Sequence, residues 1–164
     1  MKFDHLTAHT RIDSRLGIIV LAASAQGLCG LWFEGQQHQP DTTGWPRDDR
    51  HPTLITAADA VQSYLDGDAR GFDVALDLQA GTAFQQTVWR TLLAIPRGRT
   101  LGYADVSRHI GQPSAARAVG AAVGRNPISI IVPCHRVLGA NGALTGYAGG
   151  IERKVALLTL EGAL

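Results

Sequence analysis

The sequence predicts an α+β protein of two domains, a small sheet-and-helix domain at residues 1–79 and a mostly helical domain at residues 80–164. The first half contains β-branched apolar runs that are typical of strands, whereas the second half repeats apolar residues at helical spacing. The tripeptide Gln79-Ala80-Gly81 interrupts both patterns and marks the boundary. A composition of 45% hydrophobic and 18% charged residues is ordinary for a globular protein.

Two apolar segments of the first domain predict a β-hairpin. Residues 16–23 and 28–33 are rich in β-branched, aromatic or other apolar side chains, and the turn signal Gln26-Gly27 lies between them. The polar segment that follows, residues 36–52, is interrupted by several prolines and a glycine, so we expect an exposed loop there.

A helix and a last strand are expected to complete the first domain. Thr53 or Thr56 can cap the helix, which should end at Gly67. Its apolar face is expected to contain Ile55, Ala58, Val61, Tyr64 and Leu65. Residues 72–78 alternate apolar and acidic side chains, which predicts a half-buried strand.

The second domain is expected to begin with a helix that starts at Thr82 and stops at Pro96. Its broad apolar face is predicted to contain Phe84, Val88, Trp89, Leu92, Leu93 and Ile95. A short helix at residues 103–110 should then turn Val106 and Ile110 inward.

A helix-turn-helix is predicted next. The tight turn Gly111-Gln112-Pro113 is followed by Ser114, a good N-cap, and by a second helix at residues 115–123. Arg117 stands alone among small residues, so this helix cannot read a base sequence, but it can approach a groove closely and insert one arginine. We therefore expect sequence-independent DNA binding with distortion of the duplex. Tight packing of the alanines against the neighbouring helix, with Arg117 in solvent, is the alternative that the residues leave open.

The charges are divided unevenly along the chain. Residues 1–82 hold six Lys and Arg against eleven Asp and Glu, whereas residues 83–164 hold nine against three. A basic second half fits contact with a polyanion. A surface whose charges happen to segregate explains these numbers equally well.

The segment Val132-Pro133-Cys134-His135-Arg136-Val137 joins a potential nucleophile to a potential base, after a predicted buried strand at residues 128–132. A free cysteine is mostly protonated at neutral pH, so its reaction needs an adjacent base or positive charge. Neighbours on an extended strand face opposite sides, so a bridging water, or a bend just after Pro133, is needed to connect Cys134 with His135. A carboxylate would then orient the imidazole. The carboxylates of the second half are Asp105, Glu152 and Glu161. Burial of Cys134 as a small apolar residue and of His135 as a satisfied core histidine remain the alternatives.

The two cysteines, Cys29 and Cys134, lie far apart in different contexts and are typical of reduced thiols in a cytoplasmic protein. Cys29 has no metal-ligand spacing with His5 or His9, so we expect no metal site. No apolar run approaches the ~20 residues of a membrane helix, and the amino terminus lacks the apolar core of a signal peptide, so no membrane contact is expected.

Several short motifs follow one another in order through the second half. They are Phe84-Gln85 with Val88-Trp89, Ile95-Pro96-Arg97-Gly98, Arg117-Ala118-Val119-Gly120, Asn126-Pro127, Pro133-Cys134-His135-Arg136-Val137, Gly146-Tyr147-Ala148-Gly149-Gly150, and Leu157-Leu158 with Glu161. In these motifs the chain resembles the O6-alkylguanine-DNA alkyltransferases, also called methylguanine-DNA methyltransferases, whereas the first half agrees only in its general plan. The resemblance implies a ribonuclease H-like first domain and a winged-helix-like second domain that carries DNA binding and catalysis.

The resemblance also implies an activity. An alkyl group would pass irreversibly from O6 of guanine, and less well from O4 of thymine, to Cys134 after the base has been flipped out of the duplex. The thioether product has no electrophilic carbonyl for water to attack, so each molecule should act once as a methylated-DNA–protein-cysteine methyltransferase. The family relay implies Cys134, a water, His135 and Glu161 in series. No metal or organic cofactor is expected.

Further residue roles are implied by the same resemblance. Tyr103 would donate a hydrogen bond to N3 of the flipped guanine, and Arg117 would fill the gap that the nucleotide leaves. Asn126 would tie the recognition helix to the active-site segment. The base would also meet backbone groups of Cys134, Val137 and Ala148. Other expected contacts are Tyr147 with the base, and Ser114, Ala118 and Arg136 with DNA.

The expected partner is double-stranded DNA, bound through its minor groove without sequence specificity by a protein that is monomeric in solution, with cooperative assembly on DNA left open. Two departures from the family pattern are Gly102, where many members have serine, and Ala148, where some do. An alkyltransferase-like protein that binds lesions without repair is a competing class, but such proteins lack the cysteine. A Cys-His hydrolase is another, but it would not need Arg117 or a helix-turn-helix.

Overall fold

The computed structural model describes residues 1–164, and the chain divides into two compact units. The first unit comprises Met1–Gly81 with Pro127–Ser129, and the second comprises Thr82–Asn126 with Ile130–Leu164. The predicted α+β class is confirmed, since a small antiparallel sheet with one helix precedes a mostly helical part. The return of Pro127–Ser129 to the first unit was not predicted. It is held by Leu31, whose backbone N–H donates to Pro127 O at 2.8 Å.

The sheet of the first unit has three antiparallel strands in the order β1-β2-β3, β1 being Leu6–Ile12, β2 Ile19–Ser24 and β3 Gly27–Phe33. The predicted hairpin is therefore confirmed, with Ser24 opposite Gly27 at the turn. β1 was not predicted. β2 begins later than expected because Ser14 and Gly17 exchange two backbone hydrogen bonds in a turn that contains Leu16.

The helix of the first unit, α1, spans Pro52–Leu65 and is preceded by His51 as N-cap. The predicted caps Thr53 and Thr56 are wrong, because proline at the first position starts the helix earlier. The side chains that it buries are those of Leu54, Ala57, Val61, Tyr64 and Leu65. Ile55, predicted to face inward, is 45% exposed because it lies one residue, about 100° of helix, away from Leu54.

Residues 72–78 do not form the predicted strand. They make a single parallel bridge between Leu28 and Leu76, with Leu28 N–H donating to Ala75 O and Asp77 N–H donating to Leu28 O, both at 2.8 Å. The alternation of exposure is nevertheless present along the segment. The predicted loop between β3 and α1 contains neither helix nor strand, as expected.

The second unit begins with α2, Ala83–Leu92, at the predicted residue Thr82. Thr82 and Gln85 form a capping box, in which Gln85 N–H donates to Thr82 Oγ1 at 3.2 Å and Thr82 N–H donates to Gln85 Oε1 at 2.9 Å. Val88, Trp89 and Leu92 are buried. Leu93, predicted to face inward, is 42% exposed because it already lies beyond the last helical residue.

Two shorter helices follow, α3 at Tyr103–His109 and α4 at Ala116–Gly124, and both pack with α2. The indole N–H of Trp89 donates to Ala122 O at 2.8 Å and ties α2 to α4. Ser114 is not the N-cap that the sequence predicts. Ala115 takes that position, because its N–H closes a turn onto Gln112 O at 2.9 Å.

The predicted strand at residues 128–132 is also wrong, because Ile130 has φ 71° and turns the buried segment. A 3₁₀ turn at Cys134–Arg136 leads into β5, Val137–Leu138, which pairs in parallel with β4, Leu101–Gly102. A second 3₁₀ turn spans Ala140–Gly142, and α5 spans Ile151–Leu160. No helix combines the length and the apolar composition that crossing a bilayer requires.

Candidate active site

Cys134 is the first residue of the 3₁₀ turn and is 5% exposed. A bend, one of the two alternatives that the sequence left open, lies at Pro133, whose φ of −82° and ψ of 64° form an inverse γ-turn, with Cys134 N–H donating to Val132 O at 2.8 Å. Asn126, just beyond α4, donates from Nδ2 to Val132 O at 2.8 Å and to Cys134 Sγ at 3.1 Å. The end of α4 is therefore tied directly to the thiol and to the turn that presents it.

His135 is fully buried beside Glu161, the residue that ends α5. Its Nε2 lies 2.9 Å from Glu161 Oε1, and the side chains of both residues have no exposed surface. Nδ1 is buried without a hydrogen-bond partner in the protein. With Nε2 protonated and donating to Glu161, the neutral imidazole keeps an unprotonated Nδ1 that can accept a proton.

Arg136 binds the same carboxylate. Its Nη2 donates to Glu161 Oε1 at 2.7 Å, its Nε donates to Oε2 at 3.0 Å, and its Nη1 donates to Ile95 O at 2.5 Å. The guanidinium makes these hydrogen bonds within the second unit, and the side chain of Arg136 is only 11% exposed. These three hydrogen bonds direct the arginine toward Glu161, and the DNA contact that the resemblance implied for it stays a prediction.

Lys154 is a buried cation that the sequence analysis missed. Its side chain is inaccessible, and Nζ donates to Val137 O at 2.6 Å and to Thr145 O at 3.0 Å. The signal that could have revealed it is its spacing, since Lys154 lies three and four residues before the buried Leu157 and Leu158 on one face of α5. It connects β5 to the loop that precedes α5.

The surroundings of Cys134 and His135 favour the neutral form of both side chains before any reaction. Burial raises the pKa of the Cys134 thiol, while the hydrogen bond from Asn126 and the charge of Lys154 lower it. Burial lowers the pKa of His135, and its hydrogen bond to Glu161 opposes that shift. A neutral thiol close to a neutral imidazole requires proton transfer before the sulfur can act as a nucleophile.

Tyr103 is the first residue of α3 and is half-buried. Burial, and then the charge of an ionised Cys134, raises the pKa of its phenol, so the hydroxyl stays protonated and can donate a hydrogen bond. Tyr147 is buried and Ala148 is half-buried in the loop before α5. Gly150 N–H donates to Tyr147 O at 3.0 Å within this loop.

The predicted DNA contacts on α4 are exposed. Arg117 and Ala118 face solvent, as do Ala121 and Arg125 further along and Ser114 in the preceding turn. At about 100° per residue the three helical positions, Arg117, Ala118 and Ala121, fall within a stripe roughly 100° wide. The opposite side of α4 buries Val119, Ala122 and Val123. The outer face of α4 is therefore smooth, with arginines at both ends.

The second cysteine lies in a different environment. Cys29 is buried in β3, and burial together with the charge of Asp77 raises the pKa of its thiol to about 12. Its high pKa makes it unreactive at neutral pH. No cluster of three or more His, Cys, Asp and Glu side chains suited to a metal ion occurs in the chain.

The fold and the site define an α+β protein in which a buried cysteine, with a histidine-glutamate pair behind it, lies beside a helix-turn-helix. A family model described as the DNA-binding domain of 6-O-methylguanine DNA methyltransferase matches residues 83–163. The methylated-DNA–protein-cysteine methyltransferase of Mycobacterium bovis is 51% identical over 151 residues, which cover 92% of this chain and 89% of that protein. The Methanosarcina acetivorans protein of the same name is 44% identical over 151 residues, covering 92% of this chain and 95% of that protein.

A solved structure is similar over most of the chain. It is the Mycobacterium tuberculosis OGT in complex with DNA, with a TM-score of 0.87 and 49% identity, covering 94% of this chain and 92% of that one. The chain belongs to the methylated-DNA–protein-cysteine methyltransferase family. The family and the enzyme class that the resemblance implied are thereby confirmed.

Proposed function

We propose that the protein repairs DNA by transferring the alkyl group from O6 of guanine, and less well from O4 of thymine, to Cys134. The observation that carries this proposal is the contact of Cys134 Sγ with Asn126 at 3.1 Å, because it joins the nucleophile to the end of the helix that would bind DNA. Membership of the family supports the transfer of an alkyl group from DNA to cysteine. The buried His135-Glu161 pair supplies a base at the residue next to the nucleophile.

The chemical step forms one bond and breaks another. The sulfur attacks the alkyl carbon, the bond from that carbon to O6 breaks, and guanine leaves with its carbonyl restored. The thiol proton passes through a water to His135 Nδ1, whose imidazolium form is stabilised by Glu161. Tyr103 donates a hydrogen bond to N3 of the base, which reduces the negative charge that develops on the leaving guanine. A proton from the relay then completes the neutral base.

The reaction should occur once per molecule. The alkylated product is a thioether, which water does not hydrolyse under mild conditions, and a second thiol would be needed to attack it. Cys29 is buried in the first unit with a pKa near 12, so it is not suited to that role. The protein is consumed by its own reaction.

The outer face of α4 is the proposed DNA contact, through the minor groove and without sequence specificity. Ala118 and Ala121 permit close approach of the helix to the groove, and Arg117 enters the gap left by the flipped nucleotide. Ser114 and Arg125 are exposed near the two ends of the helix, and we propose that they contact phosphates. Flipping is required because O6 is out of reach of a nucleophile inside the stack.

The second unit carries all of these groups, so the first unit is proposed to support it. The protein is proposed to act as a monomer, and cooperative assembly on DNA stays an open prediction. Its two free cysteines fit the cytoplasmic location expected from the sequence.

The test is to incubate the protein with a duplex that contains one O6-methylguanine and to measure the mass of the peptide that bears Cys134. We expect one added methyl group on that peptide, one repaired base per protein molecule, and no transfer by Cys134→Ser. Continued turnover beyond one equivalent would contradict the proposal and favour a hydrolase. Loss of the lesion with Cys134 unmodified, or tight binding without any loss, would also overturn it.

A further inference from the structure

Two glycines from different elements lie against the ring of Tyr103. A Cβ added to Gly120 of α4 would lie 3.7 Å from Tyr103 Cδ1 and 3.9 Å from Cε1, which is ordinary van der Waals contact. A Cβ added to Gly146 would lie only 3.0 Å from the phenolic oxygen. Only at Gly146, therefore, does the present position of the Tyr103 hydroxyl depend on the absence of a side chain.

The backbone around Gly146 is anchored on both sides. The carbonyl of Thr145 accepts from Lys154 Nζ at 3.0 Å. On the other side, Gly150 N–H donates to Tyr147 O at 3.0 Å, and Arg153 Nη1 donates to the carbonyl of Gly149 at 3.1 Å. Because these bonds hold the loop, a side chain at position 146 would displace the phenol more readily than the backbone.

The backbone conformation at Gly146 contributes a separate effect. Its φ of 71° lies in the left-handed region, where a residue with a Cβ is strained by roughly 1 kcal/mol. A substitution there therefore has two consequences, local strain and contact with Tyr103, and an experiment must separate them. Gly142 allows this, since its φ is 77° but a Cβ on it would meet nothing within 4 Å.

We propose that Gly146 is a positioning residue for Tyr103, because its missing side chain lets the loop lie against the phenolic oxygen and sets where the hydroxyl points. The proposal rests on the proposed function, in which that hydroxyl donates to the flipped base. Moving the oxygen by a few tenths of an ångström lengthens this hydrogen bond at the moment when charge develops on the base. We expect a loss on the order of tenfold, since a misplacement of about 1 Å can cost about a hundredfold.

The experiment compares four proteins, namely the unmodified chain, Gly146→Ala, Tyr103→Phe and the double variant. The quantity measured is the single-turnover rate of methyl transfer from a duplex containing O6-methylguanine. Gly146→Ala should slow the unmodified chain about tenfold but should slow Tyr103→Phe by less than about twofold, because the oxygen that meets the new Cβ is gone. Strain at position 146 is the same in both backgrounds and cancels in the comparison.

Gly142→Ala is the matched control, and we expect it to leave the rate unchanged. Equal losses in the two Tyr103 backgrounds, or a similar loss in Gly142→Ala, would overturn the proposal. Urea unfolding of the same four proteins gives a second readout. If the two substitutions are coupled in the free energy of unfolding but not in the rate, the contact between Gly146 and Tyr103 has only a structural role, and the proposal is overturned as well. Should Gly146→Ala not fold, Tyr103→Phe is expected to restore folding, and its failure to do so refutes the contact. A lack of any methyl transfer by the unmodified chain would instead overturn the proposed function.

Discussion

Glu161 is the single acceptor on which His135 and Arg136 converge, and Glu161→Gln is the most direct perturbation of the site. The carboxylate accepts three hydrogen bonds, one from His135 Nε2 and two from Arg136, and its side chain has no exposed surface. A glutamine keeps the shape but replaces one acceptor oxygen by an NH₂ group. At least one of the three donors would then face another donor.

The cost of this change can be estimated from the burial of the network. Breaking a buried ion pair by removing one partner destabilises a protein by about 3–5 kcal/mol, because the other charge is left uncompensated. The free energy of unfolding of a domain is about 5–15 kcal/mol, which exceeds this loss over most of its range, so we expect Glu161→Gln to fold. With a urea dependence of about 1–3 kcal/mol per molar, the unfolding midpoint should fall by roughly 1–5 M. The rate of alkyl transfer should fall by up to about 10⁴-fold, because His135 loses the carboxylate that fixes its tautomer and stabilises its imidazolium form.

The assay combines urea unfolding, followed by tryptophan fluorescence, with the single-turnover rate of methyl transfer. Glu152→Gln is the matched control, because Glu152 is exposed near the start of the same helix, α5. We expect that control to change neither the midpoint nor the rate. If Glu161→Gln unfolds and reacts like Glu152→Gln, then the carboxylate neither stabilises the network nor assists His135, and the reasoning fails.

Three further predictions concern the surroundings of the site. Lys154→Met should raise the pKa of Cys134, because the charge of Lys154 lowers that pKa, and should therefore slow the reaction of Cys134 with a small alkylating reagent at neutral pH. Lys2→Met, at an exposed lysine, should leave that reaction unchanged. Identical pH profiles for the two variants would contradict an effect of Lys154 on the thiol. Arg117→Ala should slow repair of duplex DNA more than reaction with free O6-methylguanine base, and equal losses would exclude an inserted arginine. Burial lowers the pKa of His135 in the folded protein, so as the pH falls the unfolded chain binds a proton at a higher pH than the folded protein does. The free energy of unfolding should therefore decrease as the pH falls below about 6.5, and this histidine should cause no loss above that pH. Urea midpoints that stay constant between pH 5.5 and 8 would refute this.

The sequence predicted those parts of the fold that depend on local signals. Thr82 begins α2 because a threonine followed by glutamine at the third helical position satisfies two backbone N–H groups locally. The hairpin of β2 and β3 likewise follows from two apolar runs around a glycine turn. Residues 128–132 were misassigned because an apolar run does not reveal a left-handed residue such as Ile130. Its conformation depends on contacts made after the chain has folded.

In the candidate site, residues adjacent in the chain were easier to predict as partners than residues that only the fold brings together. Cys134 and His135 are adjacent in the chain, so their pairing was visible, whereas Glu161 was selected through the resemblance to a family. Lys154 was missed because a lysine on an apolar helix face usually extends its ammonium group to solvent. Only the fold shows that the carbonyls of Val137 and Thr145 accept hydrogen bonds from it inside the protein. The hydrogen bonds from Arg136 to Glu161 were not predicted either, because the two residues lie 25 positions apart in the chain.

The opposite pKa shifts of Cys134 and His135 bear on how the reaction is controlled. Burial favours the neutral form of each group, so moving the proton from sulfur to imidazole creates two charges in a buried site. The groups that stabilise those charges are already in place, with Asn126 and Lys154 near the sulfur and Glu161 against the imidazole. Proton transfer is therefore most favourable when the sulfur charge is being consumed by bond formation to the alkyl carbon. If the protein reacts only once, as proposed, this arrangement keeps its thiol protonated and unreactive until an alkylated base is bound.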